Sequence, residues 1–433
     1  MSRLALLGGA PVRIVPFLPQ QTIGDEEKAA VMAVLESGAL SQFLGEPGPE
    51  FLGGPRVREM ERAFADHFGS RYAVATNSAT TALHAAVAAC RLGPGDEVIV
   101  TPMTMTASAT AILMQHAIPV FADVHPETFC LDPEAVRRAI TPRTKAIMMV
   151  DLFGQPAHWD EIHGIAREHG LRVIEDAAQA AQAQHRGRFA GTLGDLGVLS
   201  LNYHKIIHCG EGGVILTSDP DLARRAQLVR NHGEVIMCEE PLDDLTNTFG
   251  SNYRMTEIEA SIATAQLGKL PGLFAHRARL AAHLARRLQG LPGIVTPRLQ
   301  PEVTSAFYAF AITLTDELGL DRRMFVEALA AEGIPVSEGY TRPIYLQPMY
   351  QQRMAYAKGC PWTCGGYDGH VSYAPGLCPV AERLQERDLI TLTVCHPPQT
   401  EADMDDIAAA FNKVLAHASQ LRERGTALSR SGT

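Results

Sequence analysis

Between Tyr72 and Thr217 short apolar runs alternate with segments whose apolar residues recur at helical spacing. The runs are Tyr72–Thr76, Glu97–Thr101, Val120–Val124, Ala146–Asp151, Arg172–Asp176, Gly197–Ser200 and Gly213–Thr217. Among the intervening helical segments are Thr80–Cys90, Pro133–Ile140 and Asp160–His169, and Asp132-Pro133 supplies an N-cap followed by a proline in the first turn. Parallel neighbours need a crossover long enough to hold a helix, so this alternation predicts a doubly wound α/β layer: a mostly parallel sheet flanked by helices.

At roughly 150 residues per domain, 433 residues exceed one simple core. The expected division is an N-terminal arm (1–20), a large α/β domain (21–268) and a smaller C-terminal α+β domain (269–433). After Gly268 the pattern changes to an Arg- and Ala-rich helix (His276–Leu288), a strand-like segment (Ala306–Leu314) and a last helix (Glu401–Ala418). The tail Gly425–Thr433 is small and polar, and is expected to be loose. Met354–Pro379, rich in Gly, Pro, Cys and aromatics, is long for an unstructured connection. It reads either as a lid or as a tolerated surface insertion.

Composition narrows the function classes. Hydrophobic residues at 46% and charged residues at 20% exclude wholesale disorder. A formal net charge of -10 repels polyanions, so nucleic acid is not an expected partner. The longest apolar runs, such as Ala146–Val150, fall far short of the roughly 20 residues that span a bilayer. The run in Met1–Arg13 is too short for a signal-peptide core, and a cytoplasmic protein is expected. Eight scattered cysteines suit buried thiols in a reducing compartment.

Three segments have the makings of a site. Thr76-Asn77-Ser78-Ala79-Thr80-Thr81 lies between a predicted strand and a predicted helix, where backbone N–H groups and hydroxyls can hold an anion, or the hydroxyls can simply cap the helix. Glu175 and Asp176 end an apolar strand at the carboxyl edge of the sheet, where ligands of α/β proteins bind; the alternative is a solvated strand end. Lys205 follows an apolar strand and precedes Ile206-Ile207 and a Gly-rich turn. That setting can desolvate an amine and make it nucleophilic, although most lysines are solvated surface charges. His204, His208 and Cys209 have zinc-like spacing only on a continuous helix, and here they fall in a predicted loop. Cys360, Cys364, His370 and Cys378 lack the spacing of a zinc motif, so no metal is expected.

Taken in order, the motifs NSATTAL (Asn77–Leu83), GPGDEVIV (Gly93–Val100), TPRTKA (Thr141–Ala146), FGQP (Phe153–Pro156), IEDAAQ (Ile174–Gln179), GEGG (Gly210–Gly213), RNHG (Arg230–Gly233) and NYRMTE (Asn252–Glu257) give the chain a family likeness. It resembles the DegT/DnrJ/EryC1/StrS sugar aminotransferases, pyridoxal phosphate enzymes of the aspartate aminotransferase fold (fold type I). The resemblance implies that Lys205 carries the cofactor as a Schiff base and then moves the proton. It implies that Asp176 pairs with the pyridine nitrogen and that Gln179 contacts the ring hydroxyl. Ser78, Ala79, Thr80 and Ser200 would hold the phosphate, and Asn252 would reach it from the opposite subunit, so the active sites would be shared in a homodimer. Two departures stand out. Met105, in Pro102-Met103-Thr104-Met105, occupies the place where relatives stack an aromatic ring. The Met354–Pro379 insertion brings Trp362, Tyr367 and Tyr373, which could close over a substrate ring.

The implied activity is transfer of an amino group from glutamate or glutamine to a ketosugar, with a nucleotide-linked one favoured, in amino sugar or antibiotic biosynthesis. A cyclitol ketone is the alternative acceptor. A lysine at position 205 argues against the ketosugar dehydratases of the family, which carry histidine there. The rival of another class is a cofactor-binding regulatory or scaffold protein without turnover. Arg254, in NYRMTE, is a candidate for the donor carboxylate, with a helix-surface arginine as the alternative.

Overall fold

Seven strands make the large sheet: β1 (Tyr72–Thr76), β2 (Glu97–Val100), β3 (Ile118–Phe121), β4 (Thr144–Val150), β5 (Arg172–Asp176), β6 (Leu196–Ser200) and β7 (Gly213–Thr217). The computed structural model describes residues 2–233, 242–364 and 366–423, so the tail expected to be loose lies outside the described residues. The strand order is β1-β7-β6-β5-β4-β2-β3. β2 through β6 pair in parallel, while β7 runs antiparallel to both β6 and β1. The reversal has a local cause. Leu201–Gly212, which joins β6 to β7, contains no helix to carry the chain back to the start of the sheet, so the next strand must return the opposite way. β2, β6 and β7 are buried along their whole length, as strands covered on both faces must be.

β3 begins earlier than its apolar run suggests and ends earlier as well. Pro119 lies inside β3. It is accommodated because β3 is the edge strand, where a missing N–H costs no ladder bond. Beyond Phe121 the chain leaves the sheet, and the Asp123 carboxylate accepts bonds from the N–H groups of Val124, Val380 and Ala381.

Helix α1 (Ala79–Ala89) follows β1, and α2 (Ala107–Met114) follows β2. Both are built largely of small residues, which lets them sit close against the sheet and against each other. The chain leaves the large sheet along one long helix, α3 (Glu257–Leu288), started by a Thr256/Glu259 capping box. Gly268 and Pro271 both lie inside α3, so the change of pattern at 268/269 falls within a helix.

Beyond α3 a four-stranded antiparallel sheet forms from β8 (Ile294–Val295), β9 (Phe310–Leu314), β10 (Ser337–Glu338) and β11 (Leu389–Leu392), in the order β8-β9-β11-β10. It shares a core with α4 (Glu401–Ala416), in which Phe310, Phe325, Phe411 and Leu280 are fully buried. The N-terminal arm is tied to this part. Leu4 sits in the same core, and the N–H groups of Ala5 and Val12 donate to the buried Glu332 carboxylate, which also pairs with Lys413 at 2.8 Å.

None of the described residues of the 354–379 segment lines the cavity at the carboxyl ends of β5 and β6. The segment packs beside β3, where the Tyr373 hydroxyl donates to the Pro119 carbonyl at 2.8 Å and receives the Trp362 indole N–H at 3.0 Å. Within it Cys360 and Cys364 form a disulfide, which corrects the expectation of thiols throughout. A tight turn brings their Cα atoms to 5.4 Å despite only four residues of separation. Cys130, Cys209, Cys378 and Cys395 are buried free thiols, as expected. Among the described residues no helix is long and apolar enough to cross a membrane.

Candidate active site

The carboxyl ends of β5 and β6 and the start of α1 converge on a cavity of about 140 Å³. α1 begins at Ser78, whose Oγ accepts the Thr81 N–H at 3.2 Å and so uses one of the free donors of the first turn. The N–H groups of Ala79 and Thr80 remain unpaired among the described residues, and both residues line the cavity. Gly213, the first residue of β7, keeps this turn in place. A Cβ there would lie 2.4 Å from the Ser78 carbonyl oxygen and 2.7 Å from the Ala79 nitrogen, both backbone atoms that cannot step aside cheaply. An anion at this helix start would meet free N–H groups and the positive end of the helix dipole. Ser200, the last residue of β6, presents its side chain to the same cavity.

Asp176 ends β5 and is only 5% exposed. Burial pushes its carboxyl above the usual range, while the Ser108 hydroxyl at 2.7 Å, the Ala178 N–H at 3.2 Å and the nearby Lys205 pull it back towards the charged form. Lys205 is half-buried in the loop after β6, with its Nζ 4.6 Å from the centre of the Tyr308 ring. Burial lowers its pKa to about 8, against the opposing pull of Asp176. A neutral amine is therefore accessible near physiological pH, which a nucleophilic lysine requires.

Gln179 is braced on both sides: its Oε1 accepts the Phe153 N–H at 2.8 Å, and its Nε2 donates to the Tyr340 hydroxyl at 2.8 Å. Met105 lines the cavity but is 56% exposed, so it covers the site loosely. Ser78, Ala79, Thr80, Met105, Asp176, Gln179, Ser200 and Lys205 thus share one cavity. Asn252 does not. It is exposed, with its Oδ1 accepting the Arg254 N–H at 3.2 Å. Arg254 in turn donates from Nε to Asn231 Oδ1 at 2.8 Å and does not line the cavity. His204 lines it beside Lys205, whereas His208 and Cys209 do not, and Trp362, Tyr367 and Tyr373 lie at the β3 edge instead.

Sequence reasoning missed Ser108, Tyr308 and Tyr340. Ser108 lies in the first turn of α2, just after the Pro102–Met105 departure. Tyr308 and Tyr340 come from the segments leading to β9 and following β10, so only the packing of the small sheet against the large one brings them here.

The donor set suits pyridoxal phosphate. There is a helix start with free N–H groups for a phosphate, a buried carboxylate held ionisable by two donors for a ring nitrogen, and a desolvated amine for an aldehyde carbon. Residues 21–377 match the family model of the DegT/DnrJ/EryC1/StrS aminotransferase family. The chain is 38% identical to an L-glutamine:2-deoxy-scyllo-inosose aminotransferase of Streptomyces kanamyceticus, covering 96% of this chain and 97% of that one. It is also 38% identical to a GDP-perosamine synthase of Caulobacter vibrioides, over 84% of this chain and 91% of the other. A solved aminotransferase from Psychrobacter cryohalolentis superposes with a TM-score of 0.80 at 30% identity, covering 93% of this chain and all of the other. The chain belongs to the DegT/DnrJ/EryC1/StrS aminotransferase family, and is a pyridoxal phosphate-dependent enzyme that transfers amino groups.

Proposed function

We propose that this aminotransferase converts a cyclitol ketone of the inosose class into an amine, with L-glutamine as donor, in antibiotic or other secondary-metabolite biosynthesis. The observation that carries the acceptor is the end-to-end similarity to the 2-deoxy-scyllo-inosose aminotransferase, which leaves almost none of either chain uncovered. A nucleotide-linked ketosugar is the second reading, supported by the equal identity to the GDP-perosamine synthase.

The chemistry needs a site that takes and returns protons at the reacting carbon and admits the water that releases the keto product. Pyridoxal phosphate, when bound, supplies an aldehyde that condenses reversibly with amines and a ring that draws off an electron pair. Ser78, Ala79, Thr80 and Ser200 would hold its phosphate, Asp176 its ring nitrogen and Gln179 its ring hydroxyl. Asn252 would contribute to the neighbouring site in a homodimer, which accounts for its exposed position outside the cavity of its own chain. The Ser108 and Ala178 donors favour the ionised form of Asp176, which is the form that keeps a ring nitrogen protonated. Lys205 Nζ, poised between charged and neutral states, would take the proton from the donor's α-carbon and, over the full cycle, give one back to the acceptor carbon that receives the amine.

Purified holoenzyme should convert scyllo-inosose or 2-deoxy-scyllo-inosose to the amine in the presence of L-glutamine, as read by mass spectrometry. Amination of nucleotide-linked ketosugars with neither inosose converted would sink the cyclitol assignment and leave the second reading.

A further inference from the structure

A second cavity, of about 460 Å³, adjoins the first. His204 lines both, and Tyr308, whose ring lies against the Lys205 amine, forms part of the second wall. On that wall is Arg277, from the middle of α3, which is 4% exposed. Its guanidinium donates to two neutral oxygens: the Phe307 carbonyl at 3.3 Å and Gln20 Oε1. Its Nε has no partner, and among the described residues no carboxylate pairs with it. Burial pulls its pKa down to about 10, which still leaves a cation at neutral pH. A buried cation with unused donors and no counter-charge is costly, and the cost is relieved when an anion arrives.

An α-amino acid carries its amine and its carboxylate on one carbon. An enzyme whose lysine site exchanges amines with such a donor therefore needs an anion site beside the amine-exchanging site. We infer that Arg277 binds the α-carboxylate of the amino donor, with the 460 Å³ cavity receiving the rest of the amino acid. The inference rests on the aminotransferase reading and is independent of which ketone is aminated. It also replaces Arg254, whose Nε is taken by Asn231 and which lines neither cavity. Gln20 positions the guanidinium: it accepts from Arg277 while its Nε2 donates to the carbonyls of Lys205 at 3.1 Å and Ile206 at 3.0 Å. The anion site and the loop carrying the reactive amine are thereby held to one side chain.

The test compares wild-type holoenzyme with Arg277→Gln and Arg277→Lys. Glutarate, a dicarboxylate without an amine, should raise the melting temperature of the wild type and leave Arg277→Gln unmoved. The L-glutamine concentration needed for half-maximal conversion of the visible cofactor band should rise tenfold to a hundredfold in Arg277→Gln. Arg277→Lys, which keeps the charge but loses the planar fork, should fall between the two. Affinity for pyridoxal phosphate should stay within twofold in both variants. Wild-type-like glutarate protection and glutamine response in Arg277→Gln would overturn the inference, as would a parallel loss of cofactor affinity, which marks a structural role. If glutarate protects only the wild type while no amino acid converts the cofactor band in any form, the anion site stands and the donor assignment falls.

Discussion

The loop bearing Lys205 and the segment 354–379 both looked functional, yet the structure uses them in opposite ways. In the insertion the polar ends of the aromatic residues are consumed within the chain: Tyr356, Tyr367 and Tyr373 donate to Leu113, Glu97 and Pro119, and Trp362 donates to Tyr373. Around Lys205 the reverse holds. Among the described residues the amine faces a ring and feels the pull of the Asp176 carboxylate, two N–H groups of α1 stand open, and Arg277 has no counter-ion. A buried polar group satisfied by its own chain stabilises the fold, whereas one left wanting favours a ligand that completes it. Aromatic richness alone separates nothing here; unfinished polarity does.

The largest effects should come from the unfinished side. Lys205→Ala is expected to lower single-turnover amine transfer from L-glutamine by about ten-thousandfold or more, and Asp176→Asn by about a hundredfold or more. Activity close to wild type in either variant would break the contrast at its strongest point. Gly213→Ala acts one step back, on the backbone that shapes the anion turn. Because the new methyl would press on Ser78 and Ala79, titration of the apoprotein with pyridoxal phosphate should show about tenfold or more weaker binding.

The finished side should respond in stability alone. Trp362→Ala removes a buried ring and its bond to Tyr373, and should cost about 3–5 kcal/mol in denaturant unfolding. KM for donor and acceptor should remain within about twofold, since the ring lines neither cavity. A large change in acceptor KM with unchanged stability would reinstate the segment as part of the substrate site.

What was legible in the sequence follows the same division between local and distant causes. β1, β5 and β7 have the limits read from their apolar runs: Gly, Ser, Asn or Asp residues lie close to both ends of β1 and β7, and Gly170 and the acids Glu175-Asp176 bound the apolar stretch of β5. The site residues on strand ends and at the α1 start were legible because each motif is a strand-to-loop or strand-to-helix junction, and the sheet brings such junctions together at one edge. Arg277 was not legible. It sits among similar arginines in His276–Leu288, and only the packing of α3 beneath Phe307 and Gln20 buries this one while Arg279, Arg286 and Arg287 stay accessible. The disulfide was missed for a related reason: four-residue spacing is ordinary until a particular turn closes it. The sequence leaves the insertion open between a lid and a surface insertion because composition reports which side chains are present and not which carbonyls they reach.

The smallest expected effect tests whether an unfinished group costs the apoprotein stability. Burial holds the Lys205 amine at about 8 in the folded chain, below the ordinary 10.5 that it would regain on unfolding. Between those values the unfolded chain binds more protons than the folded one, so this residue makes stability climb with pH across that window. Below about 8 its full penalty is in place, and above 10.5 the penalty is gone. Apoprotein carrying Lys205→Met should therefore unfold at higher denaturant concentration than wild-type apoprotein at pH 7, and the gap should narrow by pH 9.5. Attraction to Asp176 makes the gap smaller than burial alone would give. A gap of the same size at both pH values would assign it to packing of the methionine, and the amine would then carry no measurable strain before the cofactor binds.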